Sequence, residues 1–209
     1  QDVDSPVYYC TSFGIGGISA IIKRAFDIVI ALVGLILASP VMLVIAICIK
    51  LEDHGSVIYK QVRCTKDMKE FTIYKFRSMK ENSEGGEAKL AVSDDDRLTK
   101  IGRTIRRFKL DELPQLVNIL KGDMSVVGPR PERPYFVEQF KESVPKYMVK
   151  HQVRPGITGW AQVNGYRGDT SIRKRIEFDL YYIENWTIGF DFKILFLTIF
   201  KGFINKNAY

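Results

Sequence analysis

Residues Ile28 to Ile49, IVIALVGLILASPVMLVIAICI, decide the fold, because this stretch contains no charged residue. As a straight helix, its 22 residues would be about 33 Å long, enough for the hydrocarbon core of a bilayer. Buried helices of soluble proteins seldom stay uncharged over such a length. The stretch therefore predicts a protein whose chemistry takes place at a membrane.

Both ends of this stretch are basic. Lys23 and Arg24 precede it, and Lys50, Lys60 and Arg63 follow it. A helix that spans a bilayer tends to have its excess of lysine and arginine on one side only. The charges therefore give no reason to place the two ends of the stretch on opposite faces of the membrane.

The centre of the stretch is the dipeptide Ser39-Pro40. Pro40 lacks a backbone donor and crowds the turn before it, and the Ser39 hydroxyl can satisfy the carbonyl that is freed. This pair predicts a break at membrane depth, so that the helix enters one leaflet and returns to the side from which it came. A straight span with a tolerated proline remains the alternative.

Length and composition limit the other possibilities. The 209 residues, 46% of them apolar, support one domain of ordinary size plus a membrane element. The net charge of +7 suits anionic lipid headgroups, nucleic acid or phosphorylated small molecules, and does not choose among them. Three irregularly spaced cysteines predict neither a disulfide framework nor a zinc site, which favours a reducing, cytoplasmic setting.

Local patterns predict an α+β fold that is mainly helical. The β-rich runs 57–63 and 71–76 predict a hairpin with a longer loop. Helices are expected at 97–109 and at about 111–121, the second ending at Gly122. Residues 190–204 are rich in Phe, Ile and Leu but contain lysines, which predicts an amphipathic helix in the membrane interface. A core helix packed on the sheet is the alternative for this last segment.

The adjacent acids Asp111 and Glu112 are the strongest candidates for a reactive centre. Four cations precede them in the chain: Arg103, Arg106, Arg107 and Lys109. Arg130 follows in the stiff, proline-rich loop 128–134. A carboxylate beside bound phosphate normally needs a metal ion or a reason to attack phosphorus. Asp as a helix N-cap and Glu near the positive end of the helix are the structural explanation, and both explanations can hold together.

Five blocks of sequence, taken in order, resemble the bacterial sugar transferase family, the monotopic phosphoglycosyl transferases that act on polyprenyl phosphate. The blocks are KFRSM (75–79), LDELPQL (110–116), KGDMSVVGPRPE (121–132), RPGITGWAQV (154–163) and DLYYIENW (179–186). The family also has a re-entrant helix broken at a Ser-Pro pair, which Ser39-Pro40 matches.

The resemblance implies an activity. Members move a sugar 1-phosphate from a UDP-sugar to undecaprenyl phosphate, release UMP and need Mg²⁺, and so begin the assembly of exopolysaccharide, O-antigen or capsule. Asp111 would be the nucleophile that becomes a phosphosugar ester, and Glu112 its partner, holding Mg²⁺ or managing protons. Both acids are thus candidate metal ligands. The residues that would bind substrate are Lys75, Arg77, Arg106, Pro129, Arg130, Pro131 and Arg154. A carboxylate such as Glu177 is the alternative partner of Arg154.

The resemblance also implies a domain order. Residues 1–22 are expected to be a linker or the tail of a missing upstream region, since the chain begins with Gln1 rather than Met. Residues 23–52 are expected to form the re-entrant membrane helix. Residues 53–209 would be a cytoplasmic catalytic domain with interfacial helices, at the cytoplasmic face of a bacterial inner membrane. The transferred sugar stays open, as does a homodimer.

Two rival functions remain. Asp94 to Asp96 has the Asp-x-Asp spacing with which many glycosyltransferases hold a metal and a nucleotide sugar, and such an enzyme would release UDP instead of UMP. A solvated turn that caps the following helix is the structural explanation. A basic membrane-anchored scaffold or a nucleic-acid binder is disfavoured, because it would leave the acid pair beside Arg130 unexplained and no aromatic residues are interleaved with the basic ones.

Overall fold

The structure, a computed structural model, describes residues 15–80, 96–168 and 170–202. Within these ranges it confirms the predicted class, mainly helical with small sheets. The helices are α1 (Gly17–Asp53), α2 (Lys100–Arg107), α3 (Gln115–Lys121), α4 (Pro134–Ser143), α5 (Trp160–Val163), α6 (Ile172–Glu184) and α7 (Ile188–Gly202). The strands are β1 (Ile58–Cys64), β2 (Glu70–Phe76), β3 (Ser125–Val127) and β4 (Gly156–Thr158). Short 3₁₀ turns are Lys66–Met68, Leu110–Glu112 and Tyr147–Gln152.

Helix α1 contains the whole uncharged stretch and continues through Pro40. The Ser39 hydroxyl donates to the carbonyl of Ile36 at 2.8 Å, which is the carbonyl that loses its backbone donor at Pro40. The helix begins at Gly17, so residues 17–22, which were predicted as linker, are helical. This difference follows from their sequence, which is apolar and contains no proline. By length and composition α1 can cross a membrane, and its return within one leaflet stays a prediction.

Buried polar contacts join the beginning of α1 to the domain. The Lys23 ammonium is 2.6 Å from the Asp191 carboxylate and donates to the Val127 carbonyl. Arg24 donates to two carbonyls near the end of α3, and Asp27 accepts from the backbone and side chain at the start of β3. Lys23 and Arg24, which flank the uncharged stretch in sequence, therefore also bind the domain. We refer to these contacts as the α1 anchor.

The other end of α1 also packs on the domain. Ile45 and Ile49 are buried in a cluster with Phe76 and Ile105. The Glu52 carboxylate accepts from the first backbone amides of α2, at 2.7 and 3.1 Å. Between the ends, large apolar side chains on the opposite face are exposed: Val29, Val33, Ile36, Leu37, Leu43 and Val44. Both ends of the helix are thus fixed to one domain, while an apolar face points away from it.

Strands β1 and β2 form the predicted antiparallel hairpin, with Ile58 opposite Phe76 and Cys64 opposite Glu70. Alternate residues of β2, including Phe71 and Ile73, are buried in the core. Asn118 of α3 joins the hairpin to the helix, because its side chain bonds the backbone of two β2 residues at 3.0 and 2.7 Å. The hairpin therefore packs against α3 and against the turn that precedes α3.

Strands β3 and β4 are parallel, and β3 runs directly into the proline-rich loop. Gly128 and Gly156 bring the two backbones so close that a Cβ on Gly156 would overlap the Gly128 amide. The Gly156 amide also donates to the carbonyl of Pro129 at 2.9 Å. The start of the loop is therefore fixed by backbone contacts that require glycine.

We predicted that the acid pair lies in the first turn of a helix, but the structure places it before that helix. Asp111 and Glu112 lie in the 3₁₀ turn Leu110–Glu112, and α3 begins only at Gln115. Pro114 has no backbone N–H to donate to the Leu110 carbonyl, which accepts instead from the Leu113 N–H at 3.3 Å, the bond of a 3₁₀ turn. The predicted end of α3 is confirmed, because Gly122 adopts a left-handed conformation with φ 91°. The acids are therefore presented by a separate tight turn.

Candidate active site

Glu112 is the centre of a buried cluster of charges and is 5% exposed. One of its oxygens, Oε1, accepts from the side chains of Lys75 at 3.0 Å, Arg130 at 3.1 Å and Arg167 at 3.0 Å. Burial alone would raise the pKa of Glu112, but the three cations together hold the pKa well below its usual value. Glu112 is therefore an anion that fixes three positive side chains in place.

Asp111 is equally buried, at 9% exposed, but its surroundings differ. Among the described residues, no hydrogen bond or ion pair reaches its carboxylate. Burial and the neighbouring Glu112 charge raise the pKa of Asp111, although Lys75, Arg167 and Arg106 oppose this effect. Its oxygens are thus free to meet an incoming phosphorus atom or a cation.

The residues of this cluster come from four separate parts of the fold. Lys75 is near the end of β2, and Glu112 is in the 3₁₀ turn before α3. Arg130 is in the proline-rich loop, and Arg167 follows α5 after a turn at Gly165, whose φ is 88°. The site is therefore assembled by packing, and each cation is held on a backbone that other contacts already fix.

The structure brings several of the predicted site residues together. Lys75 and Arg130 both contact Glu112, and Arg106 is close enough to lower the pKa of Asp111. Pro129 and Pro131 shape the loop that carries Arg130, and their carbonyls accept from the Gly156 amide and from Arg63.

Two predicted binding residues are placed elsewhere. The Nε of Arg154 donates to the carbonyl of Gly122 at 2.8 Å, so Arg154 caps the C-terminus of α3 instead of reaching the acid pair. The Arg77 guanidinium is buried and packs against Gly55, just after the end of α1. Of the rival Asp94–Asp96 motif, Asp94 and Asp95 lie outside the described residues.

Arg167 is the site residue that sequence reasoning missed. It lies in the segment NGYRG (164–168), directly after the fourth resembling block, which ended at Val163. Its guanidinium contacts the same Glu112 oxygen as Lys75 and Arg130. The sequence feature that could have indicated Arg167 is its position between Gly165 and Gly168, because closely spaced glycines are typical of a turn.

A second group of buried charges lies behind the proline-rich loop. Glu132, the last acid of the loop, is 2.9 Å from Arg175 of α6 and 4.0 Å from Lys150. Burial would raise the pKa of Glu132, but Lys150 and Arg175 lower it. Asp179 lies in the same region, and burial raises its pKa to about 6. These contacts hold the part of the loop that follows Arg130.

A groove leads away from the acid pair. It encloses about 180 Å³ and begins among Lys109, Glu112 and Arg167. Further along, the lining changes to apolar side chains, among them Leu116, Ile157 and Leu197. The groove therefore has a charged end at the site and an apolar end between α3 and α7.

Comparison with known proteins shows the family of this chain. A family model described as "Bacterial sugar transferase" matches residues 18–205. The chain belongs to the bacterial sugar transferase family.

Several relatives of this bacterial sugar transferase have named activities. The present chain is 49% identical over 199 residues to the UDP-glucose:undecaprenyl-phosphate glucose-1-phosphate transferase of Escherichia coli (strain K12). The match covers 93% of this chain and 43% of the relative. The chain is 50% identical over 184 residues to the UDP-N-acetylgalactosamine-undecaprenyl-phosphate N-acetylgalactosaminephosphotransferase of Aeromonas hydrophila, covering 87% and 44%.

A third relative, the uncharacterized sugar transferase EpsL of Bacillus subtilis (strain 168), is 43% identical over 188 residues, 89% of each chain. The present chain thus spans less than half the length of the first two relatives and most of the third.

A divalent cation is compatible with the acid pair of this bacterial sugar transferase. The described residues contain no group of three or more acidic, histidine or cysteine side chains that could hold a metal ion alone. Mg²⁺, however, is usually bound through one or two carboxylates together with substrate phosphates and water. The unbonded carboxylate of Asp111 fits that role, whereas one oxygen of Glu112 already contacts three cations.

Proposed function

We propose that this chain transfers a sugar 1-phosphate from a UDP-sugar to undecaprenyl phosphate and releases UMP. The observation that carries the proposal is the contrast within the acid pair. Glu112 holds three cations in a buried site, while the adjacent Asp111 carboxylate makes no bond among the described residues. The activities for which the relatives are named support the donor and acceptor classes.

In the first step, an oxygen of Asp111 attacks the sugar-linked phosphorus of the donor. The bond from this phosphorus to the bridging oxygen breaks, and the bridging oxygen leaves with UMP. The sugar phosphate is then an ester of Asp111. Burial supports this role, because a carboxylate that is poorly solvated and not hydrogen-bonded is a stronger nucleophile than one that is paired.

In the second step, an oxygen of the lipid phosphate attacks the same phosphorus. The bond to Asp111 breaks, the carboxylate is regenerated, and the product is a polyprenyl diphosphate sugar. Two steps suit a soluble donor and a membrane-bound acceptor, because the two substrates need not meet at one centre at the same time.

The cations around Glu112 would stabilise the charge on the reacting phosphates. Arg130 and Arg167 are already held in place by Glu112, so little side-chain entropy is lost when a substrate arrives. Arginine also offers a planar pair of donors that matches phosphate oxygens. Mg²⁺, when bound by Asp111 and the donor diphosphate, would offset the negative charge that repels an incoming carboxylate.

We further propose that α1 is re-entrant and that the domain lies on the cytoplasmic face of the inner membrane. Both ends of α1 contact the same domain, through the α1 anchor and through Ile49 and Glu52. A straight span would move one of these ends to the far side of the bilayer. Helix α7 adds exposed apolar side chains suited to the interface: Phe192, Phe196, Ile199 and Phe200.

The nucleotide product tests this function. The full chain in lipid vesicles, supplied with Mg²⁺, undecaprenyl phosphate and a panel of UDP-sugars, should release UMP with at least one donor. Release of UDP would instead indicate transfer of the sugar without its phosphate. Chelation of the metal should abolish release of UMP, and added Mg²⁺ should restore it.

The covalent step has a separate test. Incubation with the donor and Mg²⁺ but without lipid acceptor should give a protein adduct that is heavier by one sugar phosphate, and Asp111→Asn should not give it. Turnover without a trappable adduct under any quench would favour direct attack by the lipid phosphate.

A further inference from the structure

The groove beside the acid pair has two chemically different ends, and this inference about its ligand rests on the proposed function. At the charged end, the lining includes the Lys109 ammonium and the Arg167 guanidinium together with Glu112. Arg167 is bonded to Glu112, whereas the Lys109 ammonium has no hydrogen bond or ion pair among the described residues. A cation that is half-buried and uncommitted is well placed to meet a phosphate.

The apolar end is continuous with the two elements that carry exposed apolar faces. Leu116 packs so closely on α1 that a Cβ on Gly34 would be 3.3 Å from its methyl group. Leu197 belongs to α7, where the adjacent Phe196 is 59% exposed. An apolar chain that leaves the membrane beside α1 or α7 would therefore meet an apolar wall without crossing open water.

The lining is poorly suited to the nucleotide. Its neutral polar members include Thr158 and Thr198, whose hydroxyls bond each other at 2.6 Å. Aromatic side chains, on which a uracil ring could stack, are absent from the part of the groove that the structure describes. The combination of a free cation at one end and aliphatic side chains at the other matches a lipid phosphate better than a nucleoside diphosphate.

We propose that this groove is the site of the polyprenyl phosphate acceptor. Its phosphate binds between Lys109 and Arg167, and the first isoprene units lie along Leu116, Ile157 and Leu197. This arrangement delivers the phosphate oxygen beside Glu112, the residue that follows the proposed nucleophile Asp111. It leaves the other side of the acid pair, towards Lys75 and Arg130, for the donor.

The experiment separates the two half-reactions of the full chain in phosphatidylcholine vesicles. Exchange of labelled UMP into the UDP-sugar, without acceptor, reports only the donor step. Turnover at varied undecaprenyl phosphate reports the acceptor step. Lys109→Gln and Leu116→Trp should each raise the KM for undecaprenyl phosphate at least tenfold and change the UMP exchange rate less than twofold.

Each of the two variants has a matched control. Val117→Trp places the same ring at a neighbouring α3 position that is 38% exposed and outside the groove. Lys100→Gln removes a lysine charge from the exposed start of α2. Both controls should leave UMP exchange and the KM for the lipid unchanged. Control variants that raise this KM as much as the groove variants would overturn the assignment.

Other outcomes also decide the question. An unchanged KM for undecaprenyl phosphate in Lys109→Gln contradicts the proposal, and so does a parallel loss of UMP exchange, which would assign Lys109 to the donor. If Leu116→Trp retains UMP exchange, this variant is folded. If Leu116→Trp loses UMP exchange, the KM of Lys109→Gln for undecaprenyl phosphate decides whether the groove binds the acceptor. Absence of exchange by the unmodified chain with every UDP-sugar would instead contradict the proposed covalent step, and absence of UMP release with undecaprenyl phosphate present would contradict the proposed function.

Discussion

Asp111 and Glu112 are adjacent in the chain but have opposite electrostatic surroundings. Glu112 gains more from three cations than it loses by burial, so its charged form is favoured in the folded protein. Asp111 loses solvation and is repelled by Glu112, so its charged form is disfavoured. The fold therefore uses one acid to organise the site and keeps the other in a reactive, less stable state.

Substitution of the two acids should change activity and stability differently. Asp111→Asn should lower turnover at least about a thousandfold, because the amide cannot form the phosphosugar ester. It should melt at or above the temperature of the unmodified chain, because the raised pKa means that the anion is disfavoured in the fold.

Glu112→Gln should also disable the enzyme, but it should destabilise the fold by about 3 kcal/mol, because three buried cations lose their counter-charge. UMP release and thermal unfolding in detergent micelles measure both effects for each variant. Near-normal turnover of Asp111→Asn, or equal melting temperatures for the two variants, would contradict this account.

Arg167 should matter as much as the cations that were predicted from sequence. Arg167→Gln should lower turnover about a hundredfold, since it removes one of the donors that would stabilise the phosphate in the transition state. Arg173→Gln, an exposed arginine on the first turn of α6, is the matched control and should leave turnover unchanged. Turnover by Arg167→Gln at the level of this control would remove Arg167 from the site.

Two buried groups behind the proline-rich loop should make stability depend on pH with opposite signs. Burial raises the pKa of Asp179 to about 6, so the folded state keeps a proton that the unfolded state releases above about pH 4. Asp179 therefore lowers stability as pH rises towards 6. Burial and Lys150 lower the pKa of His151 to about 4, so the unfolded state binds a proton below about pH 6.5 that the folded state excludes. His151 therefore raises stability as pH rises over the same window.

The two effects are each worth about 3 kcal/mol and should nearly cancel in the unmodified chain. Asp179→Asn should leave a free energy of unfolding that rises steeply between about pH 4.5 and 6.5, whereas His151→Gln should leave one that falls. Urea unfolding across this window measures both slopes. Slopes of the same sign in the two variants would show that these groups do not titrate as their burial implies.

At the scale of elements, α1 and the 3₁₀ turn show where sequence patterns succeed and fail. The hairpin, the end of α3 and the Ser39 bond at Pro40 follow from local rules of alternation, glycine capping and a missing donor, so the sequence predicted them. The position of the acids before α3 depended on one missing N–H at Pro114, which helix propensity alone does not capture.

The placement of α1 can be tested by labelling. In a background without the native cysteines, single cysteines at Ile18 and Leu51 should both react with an impermeant maleimide from the cytoplasmic side, because both ends contact one domain. A cysteine at Leu37, which is 74% exposed in the middle of the helix, should react only after detergent is added. Labelling of the two ends from opposite sides would show that α1 is a straight span.

At the scale of the whole molecule, the chain-wide resemblance identified the family, and packing decided which residues meet. Lys75 and Arg130 are 55 positions apart in sequence, yet both contact Glu112. Arg154 belongs to an equally well-matched block but caps α3, and Arg167 lies just beyond a block but joins the site. A motif marks a segment, whereas the side chains that face the site depend on tertiary contacts that one sequence does not reveal.

The α1 anchor also limits how the domain can be prepared. A version of the chain shortened to begin after residue 53 would leave the Asp191 carboxylate and the hydroxyl of Ser125 without their charged partners from α1. It would also uncover the apolar surface on which Ile45 and Ile49 pack. Such a fragment should aggregate or misfold in water, so α1 is an integral part of the domain and not a detachable segment.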